Sequence, residues 1–204
     1  LKTNKRTKSV CNLDQAKSIG ILYDATFEEN IKTIQPFVSY FFDLKKEVKA
    51  LGFVNSKKLS YCHTPKLQYD FFYQKDLNWY YKPQNYIIDN FIKKDYDILI
   101  NLCDSKVIPI KYLIASSLAH FKIGIYEENY EIYDLMISLN NDKSVQRLMR
   151  EIKHYINLIN KKTGFVCEDD KEFCLSTINL LNNDNLWKRM NEECKKKNWL
   201  LFLE

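Results

Sequence analysis

Five residues are of a type, and in a position, to do chemistry: Asp24, Asp104, Ser105, His120 and Trp79. Asp24 closes the run Ser-Ile-Gly-Ile-Leu-Tyr-Asp, and Asp104 and Ser105 follow the run Asp-Ile-Leu-Ile-Asn-Leu-Cys. A carboxylate or hydroxyl just past a buried strand stands where open α/β sheets hold their ligands. The competing role is a cap, because an acid after a strand often satisfies the amides of the next turn. His120 precedes another apolar run and is a candidate base. No nucleophile stands beside it in sequence, so a structural role is the expectation. Trp79, with Tyr80 and Tyr81, could stack on a sugar or a base. Large aromatics mostly bury their area, which predicts a packed loop.

Missing motifs narrow the chemistry. The four glycines, Gly20, Gly52, Gly124 and Gly164, are singletons. There is neither a G-x-G-x-x-G fingerprint nor a P-loop, so no dinucleotide or Walker cofactor site is expected. No Gly-x-Ser-x-Gly elbow is present, which weakens a hydrolase reading. The six cysteines form no C-x-x-C pair, and His63, His120 and His154 lack ligand spacing. No metal is therefore expected, and the cysteines read as reduced thiols of a cytosolic protein. The absence of an apolar leader after the basic N-terminus agrees with that expectation. The chain begins at Leu1 rather than Met, as a fragment or a processed chain would.

The elements that must position these residues follow from composition and periodicity. The 204 residues are 46% hydrophobic and 28% charged, which is the balance of a folded domain. No apolar run reaches the ~18–20 residues of a membrane span. The net charge is +5, with basic clusters at Lys2, Lys5, Arg6 and Lys8 and at Lys195, Lys196 and Lys197. Lys, Asn, Ile, Tyr and Phe share AT-rich codons, so base composition accounts for this mixture and a nucleic-acid partner is not expected. Strands are predicted at 18–24, 47–54, 71–73, 97–103, 121–126 and 134–139. Helices are predicted after Thr26, at 84–94, at 109–120 and at 142–160. Thr26 and Glu29 read as a capping box. Phe27, Ile31, Ile34, Val38, Phe41 and Val48 follow at helical spacing as one apolar stripe, within which Pro36 either kinks the helix or opens a second one.

Strands alternating with helices predict a Rossmann-like open, mostly parallel sheet of about five strands. The expected organisation is a basic lead-in over 1–17, an α/β domain over 18–162 and a helical C-terminal segment over 163–204. In that segment an extended piece covers 163–167. One helix then follows Asp169, and a second starts near Asp184 with Trp187, Met190 and Cys194 on its apolar side.

Several segments carry a resemblance. Lys-Ser-Ile-Gly-Ile-Leu from Lys17, Lys-Asp-Leu-Asn-Trp from Lys75, Tyr-Asp-Ile-Leu-Ile-Asn-Leu from Tyr96, Ala-His-Phe-Lys-Ile-Gly from Ala119 and Tyr-Asp-Leu-Met-Ile from Tyr133 occur in this order. Over about 17–160 they resemble a Bacteroidetes family whose domain has no known function. The resemblance implies a lineage and no catalytic residue. The central strand-helix-strand also looks like the N-terminal half of GT-B glycosyltransferases of the heptosyltransferase kind. The tail, with Thr163-Gly164-Phe165-Val166, looks like the end of the GT-B group that includes mannosyltransferases. The paired-glutamate motif and Gly-rich loop that precede that end in those enzymes are missing here. The reading is an α/β binding or accessory module. The alternative is a glycosyltransferase-like enzyme binding a small molecule or nucleotide at the strand C-terminal edge.

Overall fold

A computed structural model describes residues 6–103, 106–127, 132–139, 142–158 and 170–196. They fall into two compact units. The first, which holds residues 15–153 and the start of the chain, contains one six-stranded sheet. Its strands are β1 (Ser18–Asp24), β2 (Glu47–Val54), β3 (Tyr69–Tyr73), β4 (Ile98–Asn101), β5 (Phe121–Ile125) and β6 (Leu135–Ile137). Every pairing is parallel and the order is β3-β2-β1-β4-β5-β6. This is an open Rossmann-like α/β sheet, one strand larger than expected because the short edge strands β3 and β6 both pair.

The strand order decides which residues share an edge. The chain steps outward from β1 to β2 and β3, then returns to the other side of β1 for β4. Right-handed crossovers therefore place α1 (Glu28–Asp43) on one face, and α2 (Tyr86–Lys93) and α3 (Ile108–Ser116) on the other. The α2/α3 face packs Leu22, Leu51, Phe53, Phe72 and Leu99 of the strands against Ile88, Phe91, Ile110, Leu113 and Ile114. The α1 face buries Ile31, Ile34, Phe37, Val38 and Phe41. The first part of α4 (Val145–Leu158) lies beside α1, with Lys153 Nζ 4.2 Å from the Tyr40 ring centroid.

Several local expectations change: Val48, read as part of the α1 stripe, lies in β2 instead. Thr26 does not cap α1. The N-cap is Phe27, without a side-chain bond, and it is 64% exposed rather than part of the buried stripe. Of the two readings of Pro36, the second helix does not form, since one helix runs through Pro36. Its missing hydrogen bond falls on the exposed side, where water can serve the orphan carbonyl, while Phe37, Val38 and Phe41 hold the buried side. The helix stops where Lys45 enters the left-handed region (φ 60°), with Lys46 N donating to Phe41 O.

The basic lead-in is tied down at Arg6. Its guanidinium lies 2.7 Å from both oxygens of Asp134 and also donates to the carbonyls of Ala119 and His120. Asp134 accepts as well from Lys122 N at 2.8 Å. The Lys122 side chain is buried, and its Nζ donates to Ile114 O in the last turn of α3, where the helix leaves carbonyls without partners. Burial first, and Arg6 second, push the Lys122 ammonium down to about 8, against the pull of Asp134. Its protonated form therefore opposes folding, in full below pH 8 and progressively less toward the ordinary value of about 10.4. Between pH 7 and about pH 9.5 this release adds about 2 kcal/mol of stability, less what the Cys11 thiol, pushed up to about 11 by burial, takes away above about pH 8.5 because the unfolded chain ionises it first. Above about pH 10 the buried tyrosines Tyr23 and Tyr96, raised by burial, reverse the trend, because the unfolded chain ionises them first. Urea midpoints should climb for the parent over this range, whereas Lys122→Met should show no rise and a slight fall above about pH 8.5. Equal slopes for the two would remove Lys122 as the cause.

The second unit holds residues 12–14 and the chain from His154. Within it lie α5 (Asp170–Leu181) and α6 (Asp184–Lys196). Asn183 caps α6 by accepting from Leu186 N at 3.0 Å. Met190 is buried but Trp187 is exposed, so the apolar side expected for this helix is only partly covered. The piece at 163–167 and Asp169 lie outside the described residues. No described helix is long and apolar enough to cross a membrane.

Candidate ligand-binding cleft

The C-terminal ends of β1, β2 and β3 are laced together by their first polar residues. Asp24 Oδ1 accepts from Thr26 N at 2.8 Å. Thr26 Oγ1 accepts from Asn55 N at 3.0 Å, and Asn55 Oδ1 accepts from Gln74 Nε2 at 2.8 Å. Thr26 thus spends its hydroxyl on the neighbouring strand end instead of on α1. Strand-like bonding runs on past the ends, from Ala25 N to Phe53 O and from Leu102 N to Leu22 O.

Beside this lacing lies an open cleft of about 510 Å³. Asp24, Thr26, Asn55, Gln74, Tyr81 and Lys106 supply its polar lining; Phe27, Phe53, Leu77, Val107, Ile108 and Pro109 supply its apolar lining. It sits where the chain's path reverses between β1 and β4, the usual ligand position in such sheets. Among the described residues no donor reaches the second oxygen of Asp24.

The helix ends bordering the cleft are poorly suited to phosphate. The β1–α1 turn is Asp-Ala-Thr-Phe with no glycine, and α1 opens on Glu28 and Glu29. Hydrogen bonds from Lys32 and Tyr61 hold the Glu28 carboxyl below its ordinary range, so it is charged. Two carboxylates complement the helix dipole and repel an anion from those amides. At α3, Pro109 removes one of the first-turn N–H groups.

The residues singled out by sequence separate in space. Asp24 lines the cleft. Asp104 and Ser105 lie outside the described residues. His120 lies at the opposite, N-terminal edge of the sheet, with Nε2 2.9 Å from Asp95 Oδ1 and Nδ1 3.9 Å from Asp97 Oδ1. Trp79 is 90% exposed, so the packed loop expected for the aromatic trio is not what forms. Of the trio, Tyr81 reaches the cleft lining.

Sequence reasoning passed over Thr26, Asn55 and Gln74 as cleft residues, and His63 as their support. Buried His63 accepts from Ser60 N at Nδ1 (2.9 Å), which leaves Nε2–H to donate to Ala25 O at 2.8 Å. Tyr61 Oη donates to Glu28 at 2.9 Å. The loop after β2 is thereby fastened over the β1–α1 turn. A usable signal did exist for the cleft: each strand run ends in a polar residue, Asn55 after β2 and Gln74 after β3.

Among the described residues, no group of three or more His, Cys, Asp or Glu side chains is placed to hold a metal ion. No curated protein and no solved structure matches the chain. A family model, described as a family of unknown function, matches residues 1–159. That match covers most of the chain, and the chain belongs to the DUF6913 family.

Proposed function

We propose that this protein is a small-molecule-binding α/β module whose site is the cleft at the C-terminal ends of β1, β2 and β3. The observation that carries the reading is the open 510 Å³ space lined by Asp24 at the reversal of strand order. Binding is favoured over catalysis because Asp24 is the one described carboxylate on the lining, and His120 lies at the far edge. A general acid–base pair needs two groups within reach of one substrate. A nucleotide-sugar donor, as a glycosyltransferase would hold, is poorly served by a turn without glycine and a helix that opens on two glutamates.

The test is a thermal-shift panel on the full chain: nucleotides, nucleotide-sugars, nucleosides, free sugars and amino acids. A ligand at ~100 times its Kd adds about 2.7 kcal/mol. For a chain of this size that is a rise of roughly 5–10 °C in Tm. The rise is expected for one class and should vanish in Asp24→Asn. A panel without any shift, or a shift that Asp24→Asn leaves intact, overturns the assignment of the cleft.

A further inference from the structure

Resting on the cleft reading, we infer that its ligand is a neutral polyhydroxylated ring, a sugar residue, stacked against Tyr81. The polar lining offers one carboxylate (Asp24) and one ammonium (Lys106), whose charges offset, with two carboxamides (Asn55 and Gln74) and the hydroxyls of Thr26 and Tyr81. A hydroxyl both donates and accepts; a carboxylate takes its proton while a carboxamide N–H serves its lone pair. Adjacent hydroxyls on a ring present this need repeatedly. Gln74 occupies Asn55 Oδ1, so the Asn55 contribution to a ligand is its N–H₂ donors, the complement of the acceptor Asp24. Glu28 and Glu29 at the α1 N-terminus disfavour a phosphorylated ligand.

The aromatic wall is built before any ligand arrives. Residues 77–83 form a tight loop closed by pairing of Leu77 with Pro83 and by Asn78 N donating to Lys82 O. Asn78 Oδ1 accepts from Tyr80 N at 3.2 Å and from Lys82 N at 2.9 Å. Its carbonyl accepts from Tyr81 N at 3.0 Å. These bonds hold Tyr81 in the left-handed region (φ 63°), which a tyrosine rarely adopts by itself. The loop keeps Tyr81 at the cleft and largely exposed, with Trp79 and Tyr80 next to it in the chain. The backbone that carries this exposed side chain is fixed in advance, so the backbone part of its ordering cost is met by folding rather than by binding. The C–H face of a sugar ring is apolar and matches that surface. Asn78 is the positioning residue and Tyr81 the contact.

The experiment is saturation-transfer NMR and titration of the full chain with glucose, galactose, mannose, N-acetylglucosamine, maltose and lactose. Adenosine, uridine and free amino acids form the comparison set. At least one sugar should bind. Tyr81→Ala and Asp24→Asn should each weaken it by about tenfold, and Tyr81→Phe by less than about threefold. Asn78→Ala should weaken binding like Tyr81→Ala, whereas Asn78→Asp, which keeps an acceptor oxygen, should restore it. Binding of a nucleoside or amino acid that depends on Asp24, with no sugar bound, overturns the sugar assignment and leaves the cleft standing. Sugar binding indifferent to both Asp24 and Tyr81 also overturns it. Silence from every compound overturns the cleft together with its ligand.

Discussion

Asp134→Ala is expected to lower the stability of the sheet-containing unit by about 3–5 kcal/mol, the range for removing one partner of a buried ion pair. The Asp134 carboxylate is 12% exposed and its partner Arg6 is 7% exposed. Without the carboxylate, the Arg6 guanidinium and the Lys122 ammonium stay buried with no anion between them, and Lys122 N loses its acceptor. Arg6 keeps the carbonyls of Ala119 and His120 as acceptors, but these carry no net charge and little water reaches the site, so the loss exceeds the small net worth of a surface pair. Lys122→Met in the Asp134→Ala background should recover part of the loss, since it removes one of the two stranded charges. Urea unfolding of the full chain, with the slope checked for constancy, measures both effects. A loss below about 1 kcal/mol would mean that solvent screens the pair as it does at a surface.

Gly52→Val should cost about 3 kcal/mol, at the upper end for overpacking a core. A Cβ built on Gly52 meets Ala25 Cβ at 2.6 Å, Tyr23 Cζ at 2.8 Å and Tyr23 Oη at 2.9 Å. Both neighbours are buried, and Tyr23 stands opposite Gly52 in the sheet register. The Tyr23 ring takes the space that a side chain at 52 would need, so relief requires moving the end of β1. That end carries Asp24. The variant should therefore lose the Asp24-dependent ligand response even at temperatures where it remains folded. Gly20→Val is the comparison: a Cβ there meets Leu99 Cδ1 at 3.0 Å and the buried Tyr96 ring at 3.1 and 3.2 Å, and no contact falls below 3.0 Å. Equal losses at the two glycines would show that general crowding, and not the Tyr23–Ala25 contact, sets the cost. Circular-dichroism melts of the two variants decide between these outcomes.

Within the chain, whatever depends on near neighbours was legible. The run Ile-Gly-Ile-Leu-Tyr marks β1, the apolar positions of α1 mark a helix with one buried face, and strand-helix alternation implies a parallel sheet. These features arise from backbone preference and from burial periodicity over a few residues, and both are written locally. The place of Asp24 at the C-terminal edge of the sheet was legible for the same reason, since it closes a buried strand.

Whatever depends on distant partners was decided only by the tertiary structure. Thr26 has the local pattern of a helix cap, yet the parallel register brings Asn55 N within 3.0 Å of its hydroxyl, and that contact prevails. Trp79 has the composition of a buried residue, yet Asn78 folds its loop outward and leaves it in solvent. His120 and Asp24 both neighbour strands, but one precedes its strand and the other follows its own, so a parallel sheet sends them to opposite edges. Arg6 finds Asp134 across 128 positions of chain. Local sequence determined which segments became strands and helices. The strand order and register, set by which apolar faces could be buried together, determined which polar residues meet at the cleft.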